Sequence, residues 1–183
     1  MALAYSKNLA KGTPAPAFSL PDLDGKTYSL DSFADAKALV VIFTCNHCPY
    51  AKAYEDRLVT IARDYTPKGV AFVAINPNVL THPQDSLELM RERAAEKGFV
   101  FPYLRDDAQD ATRAYDAMCT PDVYVFDAAR KLVCQTRVDD SWQDASKVTR
   151  KDLCLVLDAV LAGRAPPFDP VMPMGCSIKW ATP

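Results

Sequence analysis

Residues 40–49 read Val-Val-Ile-Phe-Thr-Cys-Asn-His-Cys-Pro, an apolar run that leads directly into two cysteines separated by two residues. The apolar and β-branched residues predict a buried strand, and the helical spacing of apolar residues after Cys48 predicts a helix. Backbone N–H groups at a helix start stabilise a nearby thiolate, and two cysteines this close can form a disulfide. The stretch therefore predicts thiol–disulfide chemistry, with Cys45 as an exposed nucleophile of lowered pKa.

The composition is that of an ordinary globular domain. The chain has 183 residues, with 21 Lys and Arg against 23 Asp and Glu and a net charge of −2, so no basic face is offered to nucleic acid or anionic lipid. No stretch approaches the roughly 18 apolar residues that a membrane-spanning helix needs. We expect one α/β domain over residues 1–183 that binds neither nucleic acid nor membranes.

The number of cysteines indicates in which cellular compartment the protein is expected. Six cysteines in a chain of this length are too sparse for the disulfide framework of a small secreted protein. The amino end also lacks a charged segment followed by a long apolar core. We therefore expect a cytoplasmic protein in which Cys134 and Cys154, which alternate with apolar residues, belong to the core.

Strand and helix patterns alternate along the rest of the chain. The expected elements are a β-hairpin within 12–30, a strand at 38–43, a helix after residue 48, a strand at 70–75, an inserted helix at 84–97, a strand near 101–104, a helix near 108–115, an antiparallel pair at 123–126 and 132–135, and a last helix at 147–161. Residues 163–183 are rich in proline and too apolar for an unpacked tail. We expect this tail to pack on the domain through Ile178 and Trp180.

This order of elements, with Thr120 and Pro121 ahead of the antiparallel pair, resembles the thioredoxin fold over about residues 12–162. The resemblance implies a central mixed sheet flanked by helices, with a cis-proline at Pro121 opposite the cysteine pair. The backbone of Thr120 would then pair with a bound substrate. We accordingly expect Asn46, Thr120 and Pro121 to bind the substrate.

Three motifs make the resemblance narrower. Residues 45–50 read Cys-Asn-His-Cys-Pro-Tyr, residues 119–122 read Cys-Thr-Pro-Asp, and residues 175–180 read Gly-Cys-Ser-Ile-Lys-Trp. Together they resemble a group of bacterial redoxin-domain proteins called peroxiredoxin-like or thioredoxin-family. Peroxiredoxins themselves carry Pro-x-x-x-Thr-x-x-Cys at the peroxidatic cysteine. If Cys48 is aligned with the peroxidatic cysteine, the Thr position is occupied by Cys45 and the Pro position by Val41. The peroxiredoxin motif is therefore absent, and the resemblance does not imply peroxidase activity.

His47 lies between the cysteines, as a basic residue does in strongly oxidising relatives of thioredoxin. We assign it a catalytic role, because a nearby imidazole would lower the pKa of Cys45 further. The alternative is that His47 is exposed in a turn and has little effect. The buried Asp of thioredoxin has no counterpart ahead of the pair, so Cys48 is left without an evident base.

Two further cysteines are candidate redox thiols. Cys119 lies two positions before Pro121 and would be near the pair, as a relay thiol or, in the favoured interpretation, as a packed side chain. Cys176 belongs to the tail, where a structural role is favoured over a catalytic one. Both alternatives stay open for each cysteine.

The favoured function is a thiol–disulfide oxidoreductase in which Cys45 attacks a disulfide and Cys48 resolves the mixed disulfide. No cofactor and no metal are needed, and the expected partners are protein or small-molecule thiols and disulfides together with an electron-donating or electron-accepting redox partner. One alternative is a copper or zinc protein that uses Cys45, Cys48 and His47 with Cys119 or Cys176. Others are a peptide-binding module at the groove beside Pro121 and a peroxiredoxin-like antioxidant enzyme.

Overall fold

The computed structural model describes residues 3–5, 9–169 and 171–181, so the predicted tail residues 170, 182 and 183 lie outside it. The strands are β1 (Leu3–Tyr5), β2 (Ser19–Pro21), β3 (Thr27–Ser29), β4 (Ala38–Phe43), β5 (Val70–Asn76), β6 (Tyr103–Arg105), β7 (Cys119–Thr120), β8 (Asp122–Asp127), β9 (Leu132–Thr136) and β10 (Met174–Ser177). The helices are α1 (Pro49–Tyr65), α2 (Leu87–Lys97), α3 (Asp110–Ala114) and α4 (Asp152–Leu161). In the described part of the chain, no helix combines the length and apolar character needed to cross a membrane.

A five-stranded mixed sheet forms the centre of the molecule, in the order β6-β5-β4-β8-β9. β4 runs parallel to β5 and antiparallel to β8, and its six side chains are all buried. A strand that is hydrogen-bonded on both edges and covered on both faces needs apolar residues at every position, which explains the continuous run at 38–43.

Helices cover both faces of this sheet. On one face, Leu58 of α1 and Leu157 of α4 pack in the same cluster as Val40. On the opposite face, Phe43 packs with Phe18, from the segment before β2, and with α3. β4 and α1 are thus fixed by two separate apolar clusters, and the loop between them carries the cysteine pair at the edge of the sheet.

The last helix is shorter than the sequence predicts. A helix is expected over 147–161, but α4 begins at Asp152, after a 3-10 turn at Ala145–Lys147 and an extended segment. The buried carboxylate of Asp152 accepts hydrogen bonds from Arg137 Nε at 2.7 Å and from Arg150 Nε at 2.5 Å. These bonds fix the start of the helix at Asp152.

A second sheet joins both ends of the chain to the segment before Pro121. β10 lies between β1 and β7 and is antiparallel to both, with Cys176 opposite Leu3 on one side and Thr120 on the other. The sequence predicts neither β1 nor β10 as a strand. This pairing places the tail next to the cysteine pair.

Polar side chains of the domain hold the end of the tail. Lys179 N–H donates to Asn78 Oδ1 at 2.9 Å, and Gln109 Nε2 donates to the carbonyl oxygen of Lys179 at 2.8 Å. Ile178 is buried in the apolar core, whereas Trp180 is 42 % exposed. Ile178 packs as predicted, whereas Trp180 is only partly covered, with the guanidinium carbon of Arg113 5.2 Å from its ring centroid. The hydrogen bonds to the backbone of Lys179 also anchor this end.

Gly175 provides a test of the second sheet. A Cβ atom at this position would lie 2.0 Å from the carbonyl oxygen of Thr120, a backbone atom that cannot move aside as a flexible side chain does. We expect Gly175→Ala to lower the free energy of unfolding by about 1–3 kcal/mol, as overpacking does. Thermal or urea unfolding measures this, with Ser177→Ala in the same strand as the control. An unchanged melting temperature for Gly175→Ala would contradict the close pairing of β10 and β7.

Candidate active site

The cysteine pair lies where β4 leads into α1. Thr44 N–H donates to the carbonyl oxygen of Ile75 at 2.9 Å, which continues the β4–β5 pairing by one residue. Cys48 is the N-cap residue of α1, which begins at Pro49, and the N–H of Ala51 in the first turn lowers the pKa of its sulfur. The pair therefore occupies the helix start that the sequence predicts.

Thr120 contacts both members of the pair. The Sγ of Cys45 and the Oγ1 of Thr120 are 3.2 Å apart, within hydrogen-bond distance. Cys48 Sγ donates to the carbonyl oxygen of Thr120 at 3.0 Å. The peptide bond between Thr120 and Pro121 is cis, which confirms the expectation for this position.

Both cysteines of the pair are buried, which the sequence does not predict for Cys45. The exposed fraction is 1 % for Cys45 and 0 % for Cys48. Cys176 of β10 packs against them together with Ala51, and Tyr50 covers the same cluster. The expectation that Cys45 is exposed is wrong because the tail lies over the helix start.

The pKa values favour the negative charge of the reduced pair on Cys48, and in that state the hydrogen bond from Cys48 to the carbonyl oxygen of Thr120 is lost. Hydrogen bonds from the Cys45 thiol, and then from Cys176, Ala51 and Thr120, lower the pKa of Cys48 to about 5. Burial raises the pKa of Cys45 well above its usual value, and the hydrogen bond to Cys48 and the charge of Asp85 act in the same direction. The expected lowering of the Cys45 pKa is thus contradicted in the reduced state.

The other cysteines separate into two groups. Cys176 is 2 % exposed and shares the cluster of the pair, and burial raises its pKa to about 12. Cys119 is buried in β7, and its sulfur lies 3.7 Å from the carbonyl oxygen of Pro121, outside that cluster. Cys134 is buried in β9, whereas Cys154 is only half-buried, so the expectation of a core position is met for Cys134 alone.

A buried carboxylate holds the two residues between the cysteines. Asp85 accepts hydrogen bonds from the N–H of Asn46 at 2.5 Å, from His47 Nδ1, and from Asn76 Nδ2 at 3.1 Å. Tyr103 OH donates to Asn46 Oδ1 at 3.1 Å. These bonds fix the backbone and both side chains of the loop between Cys45 and Cys48.

His47 is buried rather than exposed in a turn. Its ring stacks on that of His82, with the centroids 3.8 Å apart, and its Nε2 has no hydrogen-bond partner among the described residues. A ligand atom of His47 lies within 4.8 Å of one on Cys45 and one on Asp85. The structure thus places the predicted imidazole of His47 beside the pair, together with a carboxylate, Asp85, that the sequence does not indicate.

Sequence reasoning misses Asp85, Asn76 and Tyr103. Asn76 ends β5, and β5 is the parallel neighbour of β4, so its carboxyl end meets the cysteine loop. The sequence signal that could have identified Asn76 is a polar residue at the end of a buried strand. The carboxyl ends of adjacent parallel strands share one edge of a sheet, so such a residue lies near the cysteine loop.

Three residues of the site, one cysteine, one histidine and one aspartate, have the spacing of metal ligands. The ligand atoms of Cys45, His47 and Asp85 all lie within 4.8 Å of one another. This set differs from the predicted one, since Asp85 takes part and Cys48 does not. Asp85 already accepts three hydrogen bonds, so a metal ion would have to displace at least one donor.

A cavity of about 250 Å³ lies beside Pro121. Its lining includes Tyr54 of α1, Trp142, and Met172 and Met174 of the tail. The lining is mostly apolar and also includes Arg137, Asp139 and Asp140. The cavity is large enough for an amino-acid side chain next to the segment that carries Thr120.

The comparisons with known proteins agree with this architecture. The family model described as Redoxin matches residues 10–153. The chain is 43 % identical to an uncharacterized conserved protein of Geobacillus kaustophilus, with a TM-score of 0.93 over 99 % of this chain and 97 % of that one. A hypothetical protein of Sinorhizobium meliloti is 38 % identical, with a TM-score of 0.93 over 98 % of this chain and 99 % of the other.

More distant similarities also point to the same fold. A Mycobacterium tuberculosis protein provisionally named a peroxiredoxin is 28 % identical over 67 % of this chain and 73 % of its own length. The thioredoxin domain of a thiol-disulfide oxidoreductase from Bacteroides vulgatus has a TM-score of 0.58 at 22 % identity, over 69 % of this chain and 88 % of that domain. The predicted thioredoxin-like fold, a central mixed sheet flanked by helices, is confirmed.

The lowered pKa of Cys48 predicts a pH dependence of stability. A thiol whose folded pKa of about 5 lies below the usual 9.0 stabilises the fold above pH 9, and this contribution is lost as the pH falls towards 5. We expect the difference in unfolding free energy between the reduced wild type and Cys48→Ser to decline between these pH values. Urea unfolding in reducing buffer measures it, with Cys154→Ser as the control. A difference that stays constant with pH would refute the lowered pKa.

Proposed function

The chain belongs to the redoxin family, and we propose that it is a thiol–disulfide oxidoreductase whose Cys45 and Cys48 alternate between dithiol and disulfide. The observation that carries the proposal is the packing of Cys45 and Cys48 in one buried cluster at the start of α1, where both sulfurs contact Thr120. Two sulfurs in contact can form a disulfide with little movement of the backbone. The burial of both sulfurs keeps water away from the thiolate.

Cys45 is the nucleophile in this proposal. The reduced pair carries one negative charge, and the proton in the hydrogen bond between the sulfurs can move from Cys45 to Cys48. The Cys45 thiolate then attacks one sulfur of a substrate disulfide, forms a mixed disulfide and releases the first substrate thiolate, which takes up a proton from solvent. His47 and Asp85 position the loop that carries Cys45.

Cys48 completes the reaction. Cys48 loses its proton, and the thiolate, stabilised by the N–H of Ala51 and the hydroxyl of Thr120, attacks the Sγ of Cys45 in the mixed disulfide. The Cys45–Cys48 disulfide forms, and the second substrate sulfur leaves as a thiolate that takes up the proton lost by Cys48. Two electrons pass to the substrate, and a separate redox partner must reduce the pair again. The reverse sequence oxidises a substrate dithiol by the same steps.

The substrates are proposed to be protein or small-molecule disulfides and thiols. Thr120 and Pro121 lie beside the pair, and the apolar cavity next to Pro121 has room for a side chain near the reacting sulfurs. Asn46, whose side chain is held by Tyr103, completes the proposed binding residues. The sparse cysteines support a cytoplasmic location.

Peroxide reduction at Cys48 is a second candidate, favoured by one observation. A thiolate with a pKa of about 5 at a helix N-terminus is a suitable nucleophile for peroxide. The similarity to the protein named a peroxiredoxin agrees with it. The Pro and Thr of the peroxiredoxin motif are replaced by Val41 and Cys45. We therefore propose disulfide exchange as the main activity.

Trapping of mixed disulfides tests the assigned roles. The variant Cys48→Ala keeps the nucleophile but lacks the group that resolves the mixed disulfide. We expect it to accumulate disulfide-linked clients and glutathione at Cys45, detected by non-reducing electrophoresis and by mass spectrometry. Cys154→Ala, outside the site, is the matched control and should trap nothing. If Cys48→Ala traps nothing while the wild type still reduces disulfides, the assignment of roles is wrong.

Peroxide consumption separates the two candidate activities. We expect the wild type to reduce disulfides faster than hydrogen peroxide, because the side chains that orient peroxide in peroxiredoxins are missing. Stopped-flow measurement of both rates on the same reduced sample provides the comparison. Rapid peroxide consumption that persists in Cys45→Ala would make Cys48 the peroxidatic residue and favour the second candidate.

A further inference from the structure

The tail occupies the strand edge that a substrate would use. β10 pairs antiparallel with β7, so that Cys176 lies opposite Thr120 and Ser177 lies opposite Cys119. Gly175 brings the two backbones so close that a Cβ atom there would lie 2.0 Å from the carbonyl oxygen of Thr120. The polar groups of this edge are therefore already engaged by the chain's own carboxyl-terminal segment.

This pairing brings a third thiol into contact with the cysteine pair. Cys176 is buried in the cluster formed with Cys45, Cys48 and Ala51. Cys176 also lies opposite Thr120, whose hydroxyl and carbonyl oxygen contact the sulfurs of Cys45 and Cys48. Cys48 thus shares one buried cluster with two other sulfurs.

We propose that Cys176 is a third redox-active thiol, which takes over the disulfide from Cys45 so that Cys48 becomes bonded to Cys176. The inference rests on the proposed function, because it needs the Cys45–Cys48 disulfide as its starting point. It makes β10 an internal substrate segment, although Cys176 bonds to Cys48, whereas a substrate cysteine would bond to Cys45.

The step is a thiol–disulfide exchange and needs no external oxidant. The sulfur of Cys176 attacks the Sγ of Cys48, the Cys48–Cys176 bond forms, and the Cys45–Cys48 bond breaks. Cys45 leaves as a thiolate and takes up the proton that Cys176 loses. The number of disulfides and of thiols is unchanged.

Formation of the Cys45–Cys48 disulfide removes one of the causes that raise the pKa of Cys176, which favours attack by its thiolate. In the reduced state, burial and the neighbouring Cys48 raise the pKa of Cys176. Cys48 has no charge and no thiol proton once it is part of a disulfide, so its contribution disappears. Lys179 remains and favours the Cys176 thiolate.

The exchange has a structural consequence. A Cys48–Cys176 disulfide joins α1 to β10 covalently and fixes the tail over Thr120. Cys45 is left as a thiol. The oxidised protein then has a closed site, and a protein substrate gains access to β7 only when Cys176 is reduced and β10 leaves.

Peptide mapping can distinguish the two disulfides. Trypsin cleaves after Lys37, Lys52, Arg164 and Lys179, so Cys45 and Cys48 share the peptide 38–52, whereas Cys176 lies in 165–179. Full-length protein is incubated with glutathione disulfide, acid-quenched, alkylated and digested without reduction. We expect the wild type to yield both an internal disulfide in peptide 38–52 and a cross-link between the two peptides.

Two variants isolate the step. In Cys45→Ala, Cys48 can react with glutathione disulfide to form a mixed disulfide. Cys176, which shares the buried cluster with Cys48, can then attack Cys48 and displace the glutathione. We expect a Cys48–Cys176 cross-link and loss of the glutathione adduct. In Cys45→Ala with Cys176→Ser, we expect the adduct at Cys48 to persist. Cys154→Ser on the wild-type background is the control and should leave the wild-type pattern unchanged.

The outcomes separate this inference from the proposed function. If peptides 38–52 and 165–179 stay unlinked in both the wild type and Cys45→Ala, the role of Cys176 is overturned, whether or not Cys45 and Cys48 form their own disulfide. If Cys45→Ala forms the cross-link but Cys176→Ser alone, in which the exchange is blocked, forms no Cys45–Cys48 disulfide, Cys176 is redox-active and the proposed function is refuted.

Discussion

The hydrogen bonds and backbone pairing at Thr120 are the constraint on which the rest of the site depends. Its hydroxyl contacts Cys45, its carbonyl oxygen accepts from Cys48, and its backbone pairs with Cys176. One residue thereby sets the positions of three sulfurs that come from distant parts of the chain. Because Gly175 packs directly on the same carbonyl group, the tail cannot shift along β7 without disturbing the cysteine pair.

The buried polar network around Asp85 has a complementary role. It satisfies the N–H of Asn46 and the ring of His47, so the loop between the two cysteines keeps one conformation although it is shielded from water. The same carboxylate raises the pKa of Cys45 and so favours the charge on Cys48. Thr120 therefore places the sulfurs, whereas Asp85 biases the charge between them.

The sequence predicts the parts of this structure that depend on local patterns. The central strand and the helix start at the pair follow from motifs of a few residues, and the cis bond at Pro121 follows from the resemblance to the thioredoxin fold. The exposure and pKa of Cys45 are predicted wrongly, because both depend on β10, which pairs with residues more than fifty positions away. Asp85 is missed because nothing local marks a loop carboxylate as buried. Long-range pairing and burial decide these properties.

The reversible oxidation of the Cys45–Cys48 pair is the central claim, and its redox equilibrium tests it most directly. Purified protein is equilibrated with glutathione buffers of graded potential, and thiols and disulfides are counted by alkylation and mass spectrometry. The account predicts one two-electron transition in which two thiols are lost together, with no lasting glutathione adduct and with loss of the transition in Cys48→Ala. Protein that stays fully reduced across the series, or that gains only single glutathione adducts, would contradict the account.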